Sequence, residues 1–274
     1  MVNENRTQNG TPNATQNGTQ KGSVRAVLFD VDGTLADTER DGHRVAFNAA
    51  FEESGLDWNW DVELYGDLLE ITGGKERIHH YIRNYNPAEL ERKELDSWIA
   101  SLHKIKTKHY VSLLARGGIP LRPGVERLIR ELRGAKIKIA IATTTTEENV
   151  TALLKSTLGD DSLGWFDVIG AGDIVPGKKP EPDIYHWALR QLGLAAHECI
   201  AVEDSENGLR ASLAAGLDTL VTVNDYTRQQ NFSGASLVVS DLGEPTRPFA
   251  LLEGAVPEGG GGWVDAKLLS ALKG

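Results

Sequence analysis

Five short apolar runs, at 24–29, 137–142, 166–169, 199–202 and 220–223, punctuate this chain, and from the second run onward the stretches between them have helical spacing. Alternation of this kind is satisfied by a parallel sheet covered on both faces, because each crossover between parallel strands needs a helix-length connection. Helices are expected at 124–133, 183–192 and 207–215. Pro123 suits a first helical position, and Gly134, Gly193 and Gly216 stand where these helices must stop. Between the first and second runs the alternation breaks off. Residues 38–53, 60–70, 76–85 and 87–114 instead show helical spacing with many aromatics and charges. The expectation is an α/β chain whose parallel-sheet core, 23–35 and 122–256, is interrupted after its first strand by an inserted helical domain, 36–121. A pocket is expected at the seam between the two bodies.

The ends read differently. Residues 1–22 are dominated by Asn, Thr, Gln and Gly, with Asn5, Asn9, Asn13 and Asn17 each followed two residues later by Thr. Such a repeat cannot build a core and is expected to be a disordered leader. The Asn-x-Thr triplets are formal glycosylation acceptors, but no apolar signal segment precedes them. Residues 257–274 are expected to be a glycine linker, 259–262, followed by an amphipathic segment, 263–272, that docks on the body. The chain carries 29 Lys and Arg against 39 Asp and Glu, a net charge of −10, with no long basic run. That balance argues against a nucleic-acid groove or an anionic membrane, and no stretch approaches the roughly 18 apolar residues of a membrane span. No obligatory protein partner is indicated. The single cysteine, Cys199, suits a reducing compartment, so a cytoplasmic location is expected; a plastid stroma would need a transit peptide outside this sequence.

Four elements carry chemistry. The first run ends in Asp30-Val31-Asp32-Gly33-Thr34, placing two carboxylates at the carboxyl end of a strand, where one can attack an electrophile while the pair holds a divalent cation. The electrophile expected is a phosphate ester. Thr143, Thr144 and Thr145 follow the second run and offer hydroxyls. Lys179, before Pro180 in Lys178-Lys179-Pro180-Glu181-Pro182, can offset the repulsion between carboxylates and a phosphate, with Lys178 as its competitor. Glu203-Asp204 follow the fourth run and are hard oxygen ligands of the kind Mg²⁺ takes together with substrate phosphate. Blander duties compete: an Asp or Thr after a strand is also a common helix N-cap. In the inserted part, Thr72-Gly73-Gly74-Lys75-Glu76-Arg77 sets free backbone N–H groups beside two cations, a cradle for a second phosphate. Glu39 and His43, four apart, share a helix face.

In order and in placement after strands, these elements resemble the motifs of the haloacid-dehalogenase superfamily of phosphatases and mutases, which implies a Rossmann-like core with a helical cap. The resemblance implies that Asp30 is the nucleophile, forming an aspartyl-phosphate, and that Asp32 is the general acid and base. It further implies that Thr143, with Thr144 and Thr145, binds phosphate and that Lys179 neutralises charge. Mg²⁺ would be held by the side chains of Asp30 and Asp204, the main-chain carbonyl of Asp32, and Glu203 directly or through water. From 24 to 241 the chain is similar, more narrowly, to the CbbY group, on Thr38-Glu39, His43, Trp60-Asp61, Tyr65-Gly66, the Thr72–Arg77 loop, Lys106-Thr107, Leu121-Arg122-Pro123-Gly124 and Gly177-Lys178-Lys179-Pro180. That likeness implies hydrolysis of xylulose-1,5-bisphosphate, a Calvin-cycle by-product, to xylulose 5-phosphate. Its distal phosphate would meet Lys75 and Arg77 beside Thr72, Gly73 and Gly74, and its sugar would lie near Glu39, His43 and Tyr65. The spacing Glu39-x-x-x-His43 is one residue longer than in related capped phosphatases. The same core motifs would serve a mutase of the β-phosphoglucomutase type, and the same fold a non-catalytic sugar-phosphate-binding protein.

Overall fold

The computed structural model describes residues 23–273; the leader expected at 1–22 lies outside the described residues. Seven strands form one sheet: β1 (Ala26–Phe29), β2 (Lys138–Ala142), β3 (Val168–Gly170), β4 (Cys199–Glu203), β5 (Asp218–Thr222), β6 (Leu237–Val239) and β7 (Leu251–Gly254). Their order is β3-β2-β1-β4-β5-β6-β7, with β1 to β6 parallel and β7 antiparallel at the edge. The order reverses at β1, so the crevice above its carboxyl end, flanked by β2 and β4, is the switch point where open α/β sheets bind ligands.

Alternation along the central strands divides large from small side chains. Val27, Phe29, Ile139, Ile141, Ile200 and Val202 point to one face, where they bury against the helices α5 (Val125–Gly134), α6 (Glu147–Leu158) and α9 (Ala266–Ala271). Ala26, Leu28, Ala140, Ala142, Cys199 and Ala201 point to the other, and there α7 (Asp183–Leu192) supplies the bulk through Ile184, Tyr185 and Leu189 beside α8 (Glu206–Ala214). Each fully buried large aliphatic side chain contributes about 1.5–3 kcal/mol. The exchange of small strand residues for large helix residues fills the layer to native density.

The inserted part lies between β1 and α5. It opens with a π-helical turn, Glu39–His43, that runs directly into α1 (Arg44–Glu53), followed by α2 (Val62–Leu68), α3 (Gly74–Tyr85) and α4 (Leu95–Ala115). Asp61 caps α2, its side chain accepting from Leu64 N at 2.8 Å. The interior is aromatic: Phe47, Phe51, Trp58, Trp60, Tyr65 and Tyr81 pack with Ile78, Ile82, Ile99 and Leu102. The two linkers run side by side, Ala36 bridging Leu121 and Arg122 N donating to Leu35 O at 2.9 Å. Arg122 is buried at this hinge. Its guanidinium donates to the carbonyls of Gly33, Thr222, Val223 and Ser240 and pairs with Asp37 at 3.2 Å, tying both linkers to the ends of β5 and β6.

Three details depart from the sequence reading. Pro123 precedes the helix start: Gly124, with φ +83°, is the N-cap of α5 and backs onto Gly243 O, where a Cβ would lie at 2.3 Å. Strands β6 and β7 lie outside the expected runs: β6 is buried but only three residues long, and β7 is exposed along its whole length. The glycine run 259–262 stays exposed at 259–260 and is tied to the body at its end, where Phe249 N donates to Gly262 O at 2.7 Å and, just beyond it, Val264 N donates to Leu242 O at 2.8 Å. Among the described residues no helix is long and apolar enough to cross a membrane.

Candidate active site

The ladder of the sheet places the first carboxylate. Asp30 N continues the β1–β4 pairing by donating to Val202 O at 3.0 Å, so Asp30 stands beside Glu203 and Asp204 where β4 ends. Gly33, with φ +85°, turns the chain away; a Cβ there would lie 2.2 Å from Asp204 Oδ2, so only glycine permits the approach. Lys179 enters from the loop before α7 and its ammonium contacts Asp30 Oδ1 at 2.6 Å and Glu203 Oε1 at 2.7 Å. Tyr185 OH also donates to Glu203 Oε1. Asn224, just past β5, donates to Asp204 Oδ2 at 2.6 Å. The competitor Lys178 turns away, donating to Gly172 O and Asp173. Nor does Asp204 cap α8: Ser205 does, accepting from Gly208 N.

Asp30, Lys179, Glu203 and Asp204 are all more than nine-tenths buried. Burial pushes Asp30 up to about 7, with Lys179 pulling it down and Glu203 and Asp32 adding to the rise. Burial, with the charges of Asp30 and Glu203, lifts Asp204 well above the carboxylate range. Burial also works against the Lys179 ammonium, yet Asp30 and Glu203 together hold its pKa above the usual lysine value. The cluster is therefore short of positive charge. Oxygens of Asp30, Glu203 and Asp204 lie within 4.8 Å of one another, and Glu203 Oε2 is buried without a hydrogen-bond partner. An all-oxygen, electron-rich set with one unsatisfied carboxylate oxygen fits a hard divalent cation.

Asp32 faces the cap. Its Oδ1 accepts from Thr38 Oγ1 at 2.5 Å and lies 2.8 Å from His43 Nε2. Lys106 Nζ, from α4, is 2.7 Å from His43 Nδ1. An ammonium can only donate, so Nδ1 accepts and Nε2 carries the proton given to Asp32. Burial would raise Asp32, but His43, Thr38 and Lys106 outweigh it and hold its pKa at about 2. Burial depresses Lys106 to about 8 despite the nearby charges of Asp32 and Glu39. His43 stacks on Tyr110, ring centroids 4.1 Å apart.

The remaining cap residues form a second network. Glu39 Oε2 accepts from Tyr65 OH at 2.5 Å, and the buried Arg77 donates to Tyr65 OH at 3.0 Å and to Leu68 O at 3.1 Å. Gly73, with φ +100°, precedes α3 and brings Gly74 and Lys75 over the cleft. Thr72 contacts the core, accepting from Asn207 at 3.3 Å. Thr143 is buried at the end of β2; its Oγ1 accepts from Thr145 N at 3.4 Å, and the Thr145 hydroxyl accepts from Asn149. Two lobes of one cleft result, sharing Asp32, Glu39, Gly73, Arg77 and Thr144 in their walls. The inner lobe holds Asp30, Thr143, Lys179 and Asp204; the outer holds Lys75, His103, Lys106 and Lys178.

Every candidate named from the sequence thus stands in or against this cleft, although Tyr65 and Thr145 spend their hydroxyls on neighbours. Sequence reasoning did not single out Tyr185, Asn224 or Asp173, which carry no local motif, and it named Thr38 and Lys106 without giving either a role. A polar residue directly after a strand, as Asn224 is, was the one usable signal.

Comparison with known proteins agrees. The haloacid dehalogenase-like hydrolase family matches residues 24–216. Protein CbbY of Cupriavidus necator is 48% identical over 248 residues, spanning 90% of this chain and 96% of that protein. The CBBY-like protein of Arabidopsis thaliana is 42% identical over 226 residues, 80% of this chain and 70% of that one. A crystal structure of CbbY from Rhodobacter sphaeroides in complex with phosphate superposes with a TM-score of 0.74 at 48% identity, covering 80% of this chain and 94% of that one. A mutant of it in complex with xylulose-(1,5)bisphosphate gives 0.73 at 46% identity, with the same coverage. The chain therefore belongs to the haloacid dehalogenase-like hydrolases, as a phosphatase of their CbbY-like branch.

Proposed function

We propose that this phosphatase is a Mg²⁺-dependent sugar-bisphosphate phosphatase, hydrolysing xylulose-1,5-bisphosphate to xylulose 5-phosphate and phosphate. One observation carries the reading: an inner lobe with a lysine-paired carboxylate opens into an outer lobe lined by Lys75, Arg77, Lys106 and Lys178, so one molecule can present a phosphate to each. The xylulose bisphosphate bound by the related CbbY has two phosphates of this kind.

In this reading Asp30 attacks phosphorus and forms an aspartyl-phosphate as the bond to the sugar oxygen breaks. Asp32, protonated at the start, gives that oxygen its proton and then takes one from the water whose oxygen attacks the aspartyl phosphorus, so the cycle closes with Asp30 again a carboxylate and Asp32 again protonated. Thr38 and His43 both use Oδ1 of Asp32 and orient the carboxyl for this exchange. The negative charge of an arriving phosphate opposes the depressed pKa of Asp32 and favours the protonated form the first step needs. Lys179 and the Thr143 hydroxyl bind the reacting phosphate. Asp30, Asp204 and the Asp32 carbonyl would hold Mg²⁺, with Glu203 behind them. The ion supplies positive charge to the carboxylates and phosphate oxygens that otherwise repel. Glu39, His43 and Tyr65 border the sugar, while Thr72, Gly73, Gly74, Lys75 and Arg77 receive the distal phosphate, with Thr144 and Thr145 at the junction. A cytoplasmic setting suits the buried, unpaired Cys199.

Phosphate release measured across sugar mono- and bisphosphates, with Mg²⁺ and with EDTA, tests the reading. The expected result is Mg²⁺-dependent, stoichiometric release with a clear preference for xylulose-1,5-bisphosphate. Isomerised sugar phosphate without free phosphate would establish a mutase, and equal rates on monophosphates would remove the two-phosphate claim.

A further inference from the structure

Asp173 follows β3 on the core side of the seam, and two lysines share its carboxylate. Lys178, from the same loop, donates to Oδ1 at 2.6 Å and to Gly172 O at 2.7 Å. Lys75, from the first turn of α3, reaches Oδ2 from the cap. All three line the outer lobe with Arg77, Lys106 and His103. Two ammonium groups converging on one carboxylate is the arrangement a phosphate would receive if Asp173 were absent. Apart from Arg122–Asp37 at the hinge and the His43–Asp32 contact beneath the lid, Lys75–Asp173 is the ion pair that joins cap to core among the described residues.

The reaction proposed above removes one phosphate and leaves the other on the product. An outer lobe that held the distal phosphate equally well before and after hydrolysis would retain that product. We propose that Asp173 is an internal anion that competes with the non-reacting phosphate for Lys75 and Lys178 and thereby speeds departure of the monophosphate product. The inference rests on the bisphosphate reading only for the identity of the competitor.

The energetics suit such a competitor. A carboxylate carries one negative charge against about 1.5 to 2 on a phosphate monoester, so a substrate anchored at both ends displaces it. Being tethered on the same loop as Lys178, it returns at high effective concentration once the anchorage at Asp30 is gone. The Asp173 side chain is 60% exposed, so the exchange needs no burial of charge. The hydrogen bonds from Lys178 and Lys75 hold its pKa at about 2, keeping it ionised at any working pH. Ligands that use the lysines bear the cost of displacing it, and their apparent affinity falls accordingly. Ligands without a second anion do not.

Calorimetric titration of xylulose 5-phosphate into wild type, Asp173→Asn and Asp173→Glu, each with Mg²⁺, tests this without requiring turnover. The neutral isostere should bind the monophosphate about tenfold more tightly than wild type, and Asp173→Glu, which keeps the charge, should stay within about threefold of wild type. The KM for para-nitrophenyl phosphate, which has no second anion, should be unchanged in all three. Unchanged or weaker binding to Asp173→Asn, equal tightening in Asp173→Glu, a parallel shift in para-nitrophenyl phosphate KM, or no binding to any of the three overturns the inference. Failure of wild type to hydrolyse any sugar bisphosphate would instead defeat the function reading, leaving the affinity ratio to decide the role of Asp173.

Discussion

The two walls of the cleft are built from different materials. On the core wall Asp30 after β1, Thr143 after β2, and Glu203 and Asp204 at the end of β4 all stand within two residues of a strand end, while Lys179 comes from the loop before α7. The strands beneath them are aliphatic, and their ladder fixes the spacing between carboxylates. On the cap wall the polar groups come from a π turn and three helices and rest on aromatic rings: Lys106 lies 4.9 Å above Phe47, and Arg77 5.2 Å above Tyr65. Such rings supply a rigid apolar floor and, in tyrosine, a hydrogen-bonding tip. The lesson is one of dependence. The strand-end carboxylates owe their spacing to the backbone ladder, whereas cap groups hold one another through Glu39–Tyr65–Arg77 and His43–Lys106.

The sharpest way to break that contrast is at the nucleophile. Asp30→Asn should lower phosphate release about 10⁴-fold or more while leaving the fold intact, since it removes an acting group and little else. Substantial residual turnover would mean that the strand ends do not hold the acting group. The next effect is on stability. Lys179→Met leaves Asp30 and Glu203 buried without their shared cation and should cost about 3–5 kcal/mol in urea unfolding. Lys75→Met, at a half-exposed pair, should cost less than about 1 kcal/mol in the same measurement. Equal losses would erase the distinction between core and cap charges.

Smaller, and confined to the cap, is the effect of Arg77→Ala. It should raise the KM for a bisphosphate about 10- to 100-fold, the value of a charged hydrogen-bonding contact, and that for a monophosphate only slightly. Matching increases would take Arg77 out of distal-phosphate binding and leave it as the support of Tyr65. Smallest is a titration. Burial, with the charges of Lys106 and Lys75, lowers His103 to about 3. Between the free-imidazole value near 6.5 and about 3, the unfolded chain binds a proton that the folded one refuses. This contribution to stability is complete above 6.5 and is lost progressively as pH falls toward 3. NMR should find the His103 ring neutral at pH 5; a midpoint near 6.5 would show the outer lobe more open to water than its packing implies.

How far the sequence reached tracks the same divide. The core carboxylates were legible because strand-end chemistry is local: an apolar run stops and the acting residue comes at once. Glycine at 33 could be read the same way, as a sharp exit. Tyr185 behind Glu203 and Asp173 between two lysines were not legible, since each acts on a residue at least five positions away and neither interrupts a periodic pattern; Asn224 behind Asp204 offered only its place directly after the fifth run. Glycine composition marked the run at 259–262, but not where it is tied down, since the hydrogen bonds of Gly262 and Val264 are made to the distant residues 249 and 242.

By itself the sequence determined the alternation that makes a parallel sheet, the point at which a helical body is inserted, and the order of the acidic, hydroxyl and lysine groups along it. All are consequences of periodicity and of the residue types placed directly after each apolar run. Only the tertiary structure decided which lysine meets Asp30, which tautomer His43 presents to Asp32, and that the lysines of the outer lobe are already held by a carboxylate. Those are matters of side chains converging from distant elements, and pairing among crowded charges depends on distances that no local pattern encodes.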